Sequence, residues 1–261
     1  MAVLVGLALG AGTTDAQTTT SGAAFENQFP DPVTYRPPVP DPPELQFLEI
    51  YEIRLPGPIL GPPRLAGDRI EVPAGTGWLR SGWAEGSAPV AAGSAAPDGR
   101  GPAEWATSPD GSHRALPAEG RLIVQKSCPG CNSGWRRRWR LRVPGLAPVP
   151  PVLTARRVYY GTAENRVYGV KRKNGHRLWA TPLDGRVLRP LALWVEPDTE
   201  EPIAAILAVP DPGRDLVVLD ALGGRPMLRY GLAGEEDRVI GAPLTTPDGH
   251  VILARQGYTP E

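Results

Sequence analysis

The chain has 261 residues, of which 41% are hydrophobic and 21% charged, and 28 basic side chains balance 28 acidic ones. That is ordinary for a globular protein and enough for one large domain or two small ones. No apolar run is long enough to span a bilayer as a helix, and no long helical pattern appears beyond the N-terminus.

In chain order, residues 1–12 are small and apolar (AVLVGLALGAG after Met1) and a polar stretch follows. They read as the apolar core of a signal-peptide-like segment over residues 1–20, with Asp15-Ala16-Gln17 near a cleavage point. The positively charged leader is absent, which fits an atypical signal, a late-placed start or a frayed apolar end. No Cys follows the run to carry a lipid. Export to the periplasm or beyond the cell is the expectation. Residues 21–45 are dense in proline and read as an extended linker. Residues 46–261 form the folded domain. Its first segment, 47–55 (FLEIYEIRL), alternates apolar and charged residues as a strand does. Residues 81–120 are rich in Ala, Gly, Ser and Pro and read as a low-complexity insertion.

Cys128 and Cys131 are the only cysteines. Their flanks, RLIVQK and WRRRWRLRV, read as strands, so the helix N-terminus that activates a redox Cys-x-x-Cys pair is missing. A zinc site needs two further ligands, and His113, His176 and His250 are scattered. A disulfide or thiol pair pinning a hairpin turn is the expected role; redox activity and metal binding remain alternatives.

Residues 158–179 carry the clearest local signal. Val158, Tyr159 and Tyr160 begin one strand, 161–165 turn, and 166–170 return. Lys173-Asn174-Gly175 makes a second tight turn, of the residue types that tolerate positive φ. Trp179 falls four residues after Gly175. The unit recurs. Trp139 lies 40 residues before Trp179, and both have a Gly at the sixth position onward, Gly145 and Gly185. Asp220-Ala221-Leu222-Gly223-Gly224 matches Lys171-Arg172-Lys173-Asn174-Gly175, with Leu228 in the Trp place and Gly234 after it. Tyr51 precedes Gly57 by the same six. Pro62-Pro63 matches Pro150-Pro151, and Arg69-Ile70 matches Arg157-Val158. A unit of this length recurring along a chain signals a propeller or solenoid.

The turn and Trp resemble the PQQ-type β-propeller repeat, A-x-D-x-x-T-G-x-x-x-W, also found in outer-membrane assembly lipoproteins. In the best copy Lys171 stands for the Asp and Asn174 for the Thr. The second copy keeps Asp220 and Gly224 but has Leu228 for the Trp. The resemblance covers residues 46–75 and 121–255. It implies an all-β fold, a β-propeller of about four PQQ-like blades. Such a ring closes by pairing its terminal strands, here 47–55 with 250–255. The alternative is an open arc or a piece of a longer protein.

The resemblance does not confer activity. PQQ-dependent dehydrogenases are longer and carry a vicinal disulfide, and this chain has no adjacent cysteines. No Glu, Asn and Asp set assignable to calcium, no G-x-S-x-G and no phosphate loop is present. No catalytic residue, cofactor or metal is expected. The expectation is a non-catalytic binding or scaffolding module; the alternative is a reduced relative of a PQQ-dependent dehydrogenase.

Charge gives the site candidate. Residues 1–120 carry 7 basic and 14 acidic side chains, residues 121–190 carry 16 and 2, and residues 191–261 carry 5 and 12. Arg136, Arg138, Arg140 and Arg142 alternate along one strand and would share a face. With Lys171, Arg172 and Lys173 they form a candidate surface for an anionic partner, another protein or an anionic envelope component. The structural alternative is pairing with the acidic segments 196–201 or 235–237. Nucleic acid is not expected, because an exported chain with no recognised binding motif gives it no footing.

Overall fold

The computed structural model describes the backbone of residues 2–11, 45–55, 63–66, 69–74, 77–81, 90–93, 105–118, 120–197, 203–231 and 238–256, with side-chain surroundings for Pro63, Ile70, Glu71, Val72 and from 105 onward. Every regular element among these residues is a strand. Four sheets hold four antiparallel strands each, paired in chain order. The first runs through Arg64–Ala66, Arg69–Ala74, Gly77–Ser81 and Val90–Gly93. The second has Ala106–Thr107, His113–Ala118, Arg121–Ser127 and Trp135–Arg142. The third has Val152–Leu153, Arg157–Thr162, Arg166–Lys171 and Arg177–Pro182. The fourth has Ala192–Val195, Ala204–Ala208, Asp215–Asp220 and Pro226–Gly231. The connections that reverse the chain use residues that accept positive φ, such as Gly120 (69°) and Asn165 (57°).

From the second sheet onward, each sheet packs on the next. Ala115, Leu122 and Val124 of the second sheet meet Val158, Tyr160 and Val170 of the third. On the opposite face of the same strand, Tyr159 joins Trp179, Ile206 and Leu219 towards the fourth. Trp194, Leu207 and Val218 of the fourth meet Val239, Val251 and Leu253. A middle strand is therefore apolar on both faces, as in Asp215–Asp220, where four consecutive residues are buried. Alternation along Val158-Tyr159-Tyr160 separates one neighbouring sheet from the other, not core from solvent. Four-stranded meanders stacked face to face in sequence are the blades of a β-propeller.

A fifth sheet joins the two ends of the chain. Arg238–Val239, Leu244–Thr245 and His250–Gln256 come from one end, Ala2–Ala11 and Leu45–Leu55 from the other. Strands from the two termini share one sheet, but the expected direct pairing of 47–55 with 250–255 does not form. Ala2–Ala11 lies between them, with Ala2 opposite Gln256 on one side and Leu55 on the other. The apolar run expected as a signal core is thus a strand here. The segment 81–120, expected to be an insertion, contributes Val90–Gly93, Ala106–Thr107 and His113–Ala118. Its small residues conceal strands too short to show a period. The polyproline stretch of the linker lies outside the described residues.

The repeat spacing is explained by contacts between blades. Trp139 Nε1 donates to the Arg172 carbonyl at 2.7 Å, and Trp179 Nε1 to the Ala221 carbonyl at 3.4 Å. Arg172 and Ala221 both stand three residues before the turn glycine. A Cβ on Gly175 would sit 3.0 Å from the Trp139 ring, and one on Gly224 2.5 Å from the Trp179 ring. Each indole therefore wedges under the next blade's turn, and only glycine admits it. The expected correspondence of Arg69-Ile70 with Arg157-Val158 holds as well, since each pair opens the second strand of its blade.

Candidate functional site

Between the second and third blades, at the end where these turns lie, a cleft of about 530 Å³ opens. The second blade contributes His113, Lys126 and Arg138, and the third Arg156, Arg157 and the turn Lys171-Arg172-Lys173. Ala155 and Leu178 supply apolar wall, and Leu178 is 37% exposed.

Strand register concentrates the charge. Lys126 stands opposite Arg136 on one side and His113 on the other, and Lys171 stands opposite Arg157. Like charges directly opposed across antiparallel strands are destabilising. A third such pair, Arg121 with Arg142, lies at the far end of the second blade.

Some of these cations are engaged. Arg157 donates to the carbonyls of Ala221 and Leu222, both at 2.6 Å, which draws its guanidinium towards the fourth blade. Arg138 Nε donates to the Lys173 carbonyl at 3.0 Å. Arg172 lies 3.3 Å from a carboxylate oxygen of Asp110. Lys126, Arg156, Lys171 and Lys173 form no ion pair with a described acidic residue. Further along the chain, Asp211 pairs with Arg186 and Arg189, and Asp184 and Asp215 with Arg229.

Two titratable groups at the cleft respond to this setting. Hydrogen bonds from Ser108 and Ser112, with the Arg172 charge beyond them, hold the Asp110 carboxyl well below the usual carboxylate range. Partial burial lowers the pKa of His113, and the Arg172 charge lowers it further. Its Nδ1 lies 2.7 Å from the Ser112 hydroxyl.

Beside the cleft, Cys128 and Cys131 form a disulfide across the hairpin tip. The tip is also held by backbone bonds, Cys128 N–H to the Gly134 carbonyl and Cys131 N–H to the Cys128 carbonyl, both 2.9 Å. A smaller hollow of about 250 Å³ runs from Cys128 along Lys126 and Arg136 to Arg138.

The expected single face of four arginines is corrected by a β-bulge. Arg137 pairs with Gln125 and Trp139 with Val124, leaving Arg138 as the extra residue. Arg140 and Arg142 consequently share a face with Arg137, and Arg136 falls on the face of Trp139 and Leu141. Of the seven candidates, Arg138, Lys171, Arg172 and Lys173 meet in the main cleft, and Arg136 borders the adjoining hollow. Arg142 lines a separate cleft with Tyr160, Tyr168 and Arg177. Arg140 is exposed beside neither. Sequence reasoning missed Lys126, Arg156, Arg157 and His113. The adjacent Arg156-Arg157 at a strand start was the available signal, but its proximity to Lys171 depends on register.

Among the described residues, no three His, Cys, Asp or Glu side chains gather as metal ligands. No described helix is long and apolar enough to cross a membrane.

No known family matches the chain, and no curated protein does. Solved structures similar in fold include BamB from Moraxella catarrhalis, at 16% identity and a TM-score of 0.42, covering 74% of this chain and 54% of that one. AztD from Citrobacter koseri is 15% identical at a TM-score of 0.35, covering 78% and 52%. Sqt1 from Saccharomyces cerevisiae is 13% identical at 0.46, covering 69% and 50%. The chain spans about half the length of these structures.

Proposed function

We propose that this protein is a non-catalytic, exported β-propeller of the PQQ-like type that binds an anionic partner through its second and third blades. The opposed like-charge pairs, Lys126 with Arg136 and Lys171 with Arg157, carry this reading. Each weakens its sheet, and the lysines find no described carboxylate. A bound anion supplies the missing counter-charge, so the arrangement suits a complex better than the isolated chain. The Cys128–Cys131 disulfide supports an oxidising compartment.

The test is charge reversal at these lysines. Lys126→Glu with Lys171→Glu, both exposed, is expected to abolish retention on a carboxylate-bearing matrix at about 0.1 M salt, with the circular dichroism spectrum unchanged. Unchanged retention would rule the reading out.

A further inference from the structure

We infer that the cleft between the second and third blades is the binding site for an acidic, aliphatic-containing peptide segment of a partner protein. The inference rests on the reading of the blades as an anion-binding module and adds the site and the chemistry of the occupant.

Three observations favour a peptide over a phosphate group or a lipid surface. First, the cleft already seats a carboxylate at its edge. Asp110 lies 3.3 Å from Arg172 and takes further hydrogen bonds from the Ser108 hydroxyl at 2.6 Å and the Ser112 N–H at 3.1 Å. The chain thereby shows how an acidic side chain docks there. Second, the wall is not wholly charged. Leu178 and Ala155 offer apolar surface beside the lysines, which suits an aliphatic side chain flanked by carboxylates. An inorganic phosphate would leave that surface unused. Third, about 530 Å³ is within the range of sites that enclose a ligand of several hundred daltons. It accommodates two or three peptide side chains. Lys126, Arg156, Lys171 and Lys173 are the groups left to receive them.

His113 reports occupancy. Lys126, Arg138 and Arg172 face it as cations and Asp110 as an anion. Carboxylates entering the cleft offset the cations and favour the imidazolium, so the imidazole pKa rises on binding.

The experiment titrates the full chain with a fluorescein-labelled eight-residue Glu/Leu peptide and follows anisotropy. A Gln/Leu peptide, inorganic pyrophosphate and phosphatidylglycerol vesicles are the comparison probes. The site variant is Lys171→Glu with Lys173→Glu. Both side chains are exposed, and the turn is held by backbone bonds such as Gly175 N–H to the Lys171 carbonyl at 2.8 Å. Arg140→Glu with Arg142→Glu is the control outside the cleft. The expected result is binding of the Glu/Leu peptide alone, weakened at least tenfold by the site variant and less than twofold by the control. In the unmutated chain, the His113 ring signals should titrate to higher pH when peptide is added. Equal weakening by both variants would overturn the inference in favour of diffuse charge attraction. So would equal binding of the Gln/Leu peptide, or an unmoved His113 titration. Vesicle or pyrophosphate binding without peptide binding would overturn the peptide site and leave the broader anion-binding reading intact. No binding to any probe would remove both.

Discussion

The indole-on-glycine contact is where single atoms decide stability. Gly224 has φ of +74°, and a Cβ there would lie 2.5 Å from Trp179 ring carbons and 2.8 Å from the Thr181 hydroxyl. None of these can retreat easily. Trp179 is 8% exposed, and the Thr181 hydroxyl donates to the Gly224 carbonyl. Gly111 has a similar φ of +64° but open space around it. The pair therefore separates backbone strain from overpacking. Gly111→Ala is expected to cost about 1 kcal/mol, the left-handed backbone term alone. Gly224→Ala adds the clash and should cost about 2–4 kcal/mol. Urea midpoints of the two variants check this, and equal midpoints would show that the indole yields. This part of the fold was legible in the sequence because packing fixes the spacing of Trp139, Trp179 and the turn glycines. Trp194 was not, although its Nε1 donates to the Gly249 carbonyl at 2.6 Å. It reaches the next blade from the first strand of its own, outside the turn-to-Trp spacing.

At the scale of the strand, the arginine run has a role apart from ligands. Trp135–Arg142 is the last strand of its sheet, so one edge of its backbone has no partner within the sheet. Such edges invite pairing with another chain, and charged side chains and bulges suppress it. This strand carries both, with Arg138 as the bulge residue. Arg138 also ties the blade to the Lys173 carbonyl, so it should be left in place. Replacing Arg136, Arg137 and Arg140 together by Thr keeps strand propensity and removes the charge. The expected outcome is a thermal midpoint within a few degrees of the parent and a clear rise in light scattering at raised concentration. Absence of added scattering would mean that the bulge alone guards the edge. The bulge explains why the site was only half legible. Counting alternate residues from Arg136 assumes an unbroken pleat, and one extra residue exchanges the faces beyond it. No feature of WRRRWRLR marks where the extra residue falls. The turn Lys171-Arg172-Lys173 was legible because a repeat position that should hold Asp held Lys.

The whole molecule depends on how its ends meet. Ala2–Ala11 pairs with His250–Gln256 from Ala2 opposite Gln256 to Ala8 opposite His250, and along its other edge with Leu45–Leu55. It is the link through which the N-terminal strands join the C-terminal ones. An unbroken apolar run has no alternation, so the sequence does not distinguish such a strand from the core of a cleavable signal. The two roles exclude each other in the mature chain, because cleavage near Asp15-Ala16-Gln17 would remove the strand. Deleting residues 2–11 separates them. Without that strand, His250–Gln256 keeps only Arg238–Val239 and Leu244–Thr245 as partners, and its backbone groups on the other side lose their acceptors and donors. The cost falls on a closure contact between distant parts of the sequence, so it should appear as lost cooperativity as well as lost stability. The expected outcome is a thermal midpoint lower by at least about 5 °C, corresponding to roughly 2 kcal/mol for a chain of this size. Hydrogen exchange should also quicken selectively in residues 250–256. A deletion variant with the parent midpoint and unchanged protection there would show that the ring holds without the strand, and the apolar run would then be free to serve as a targeting segment.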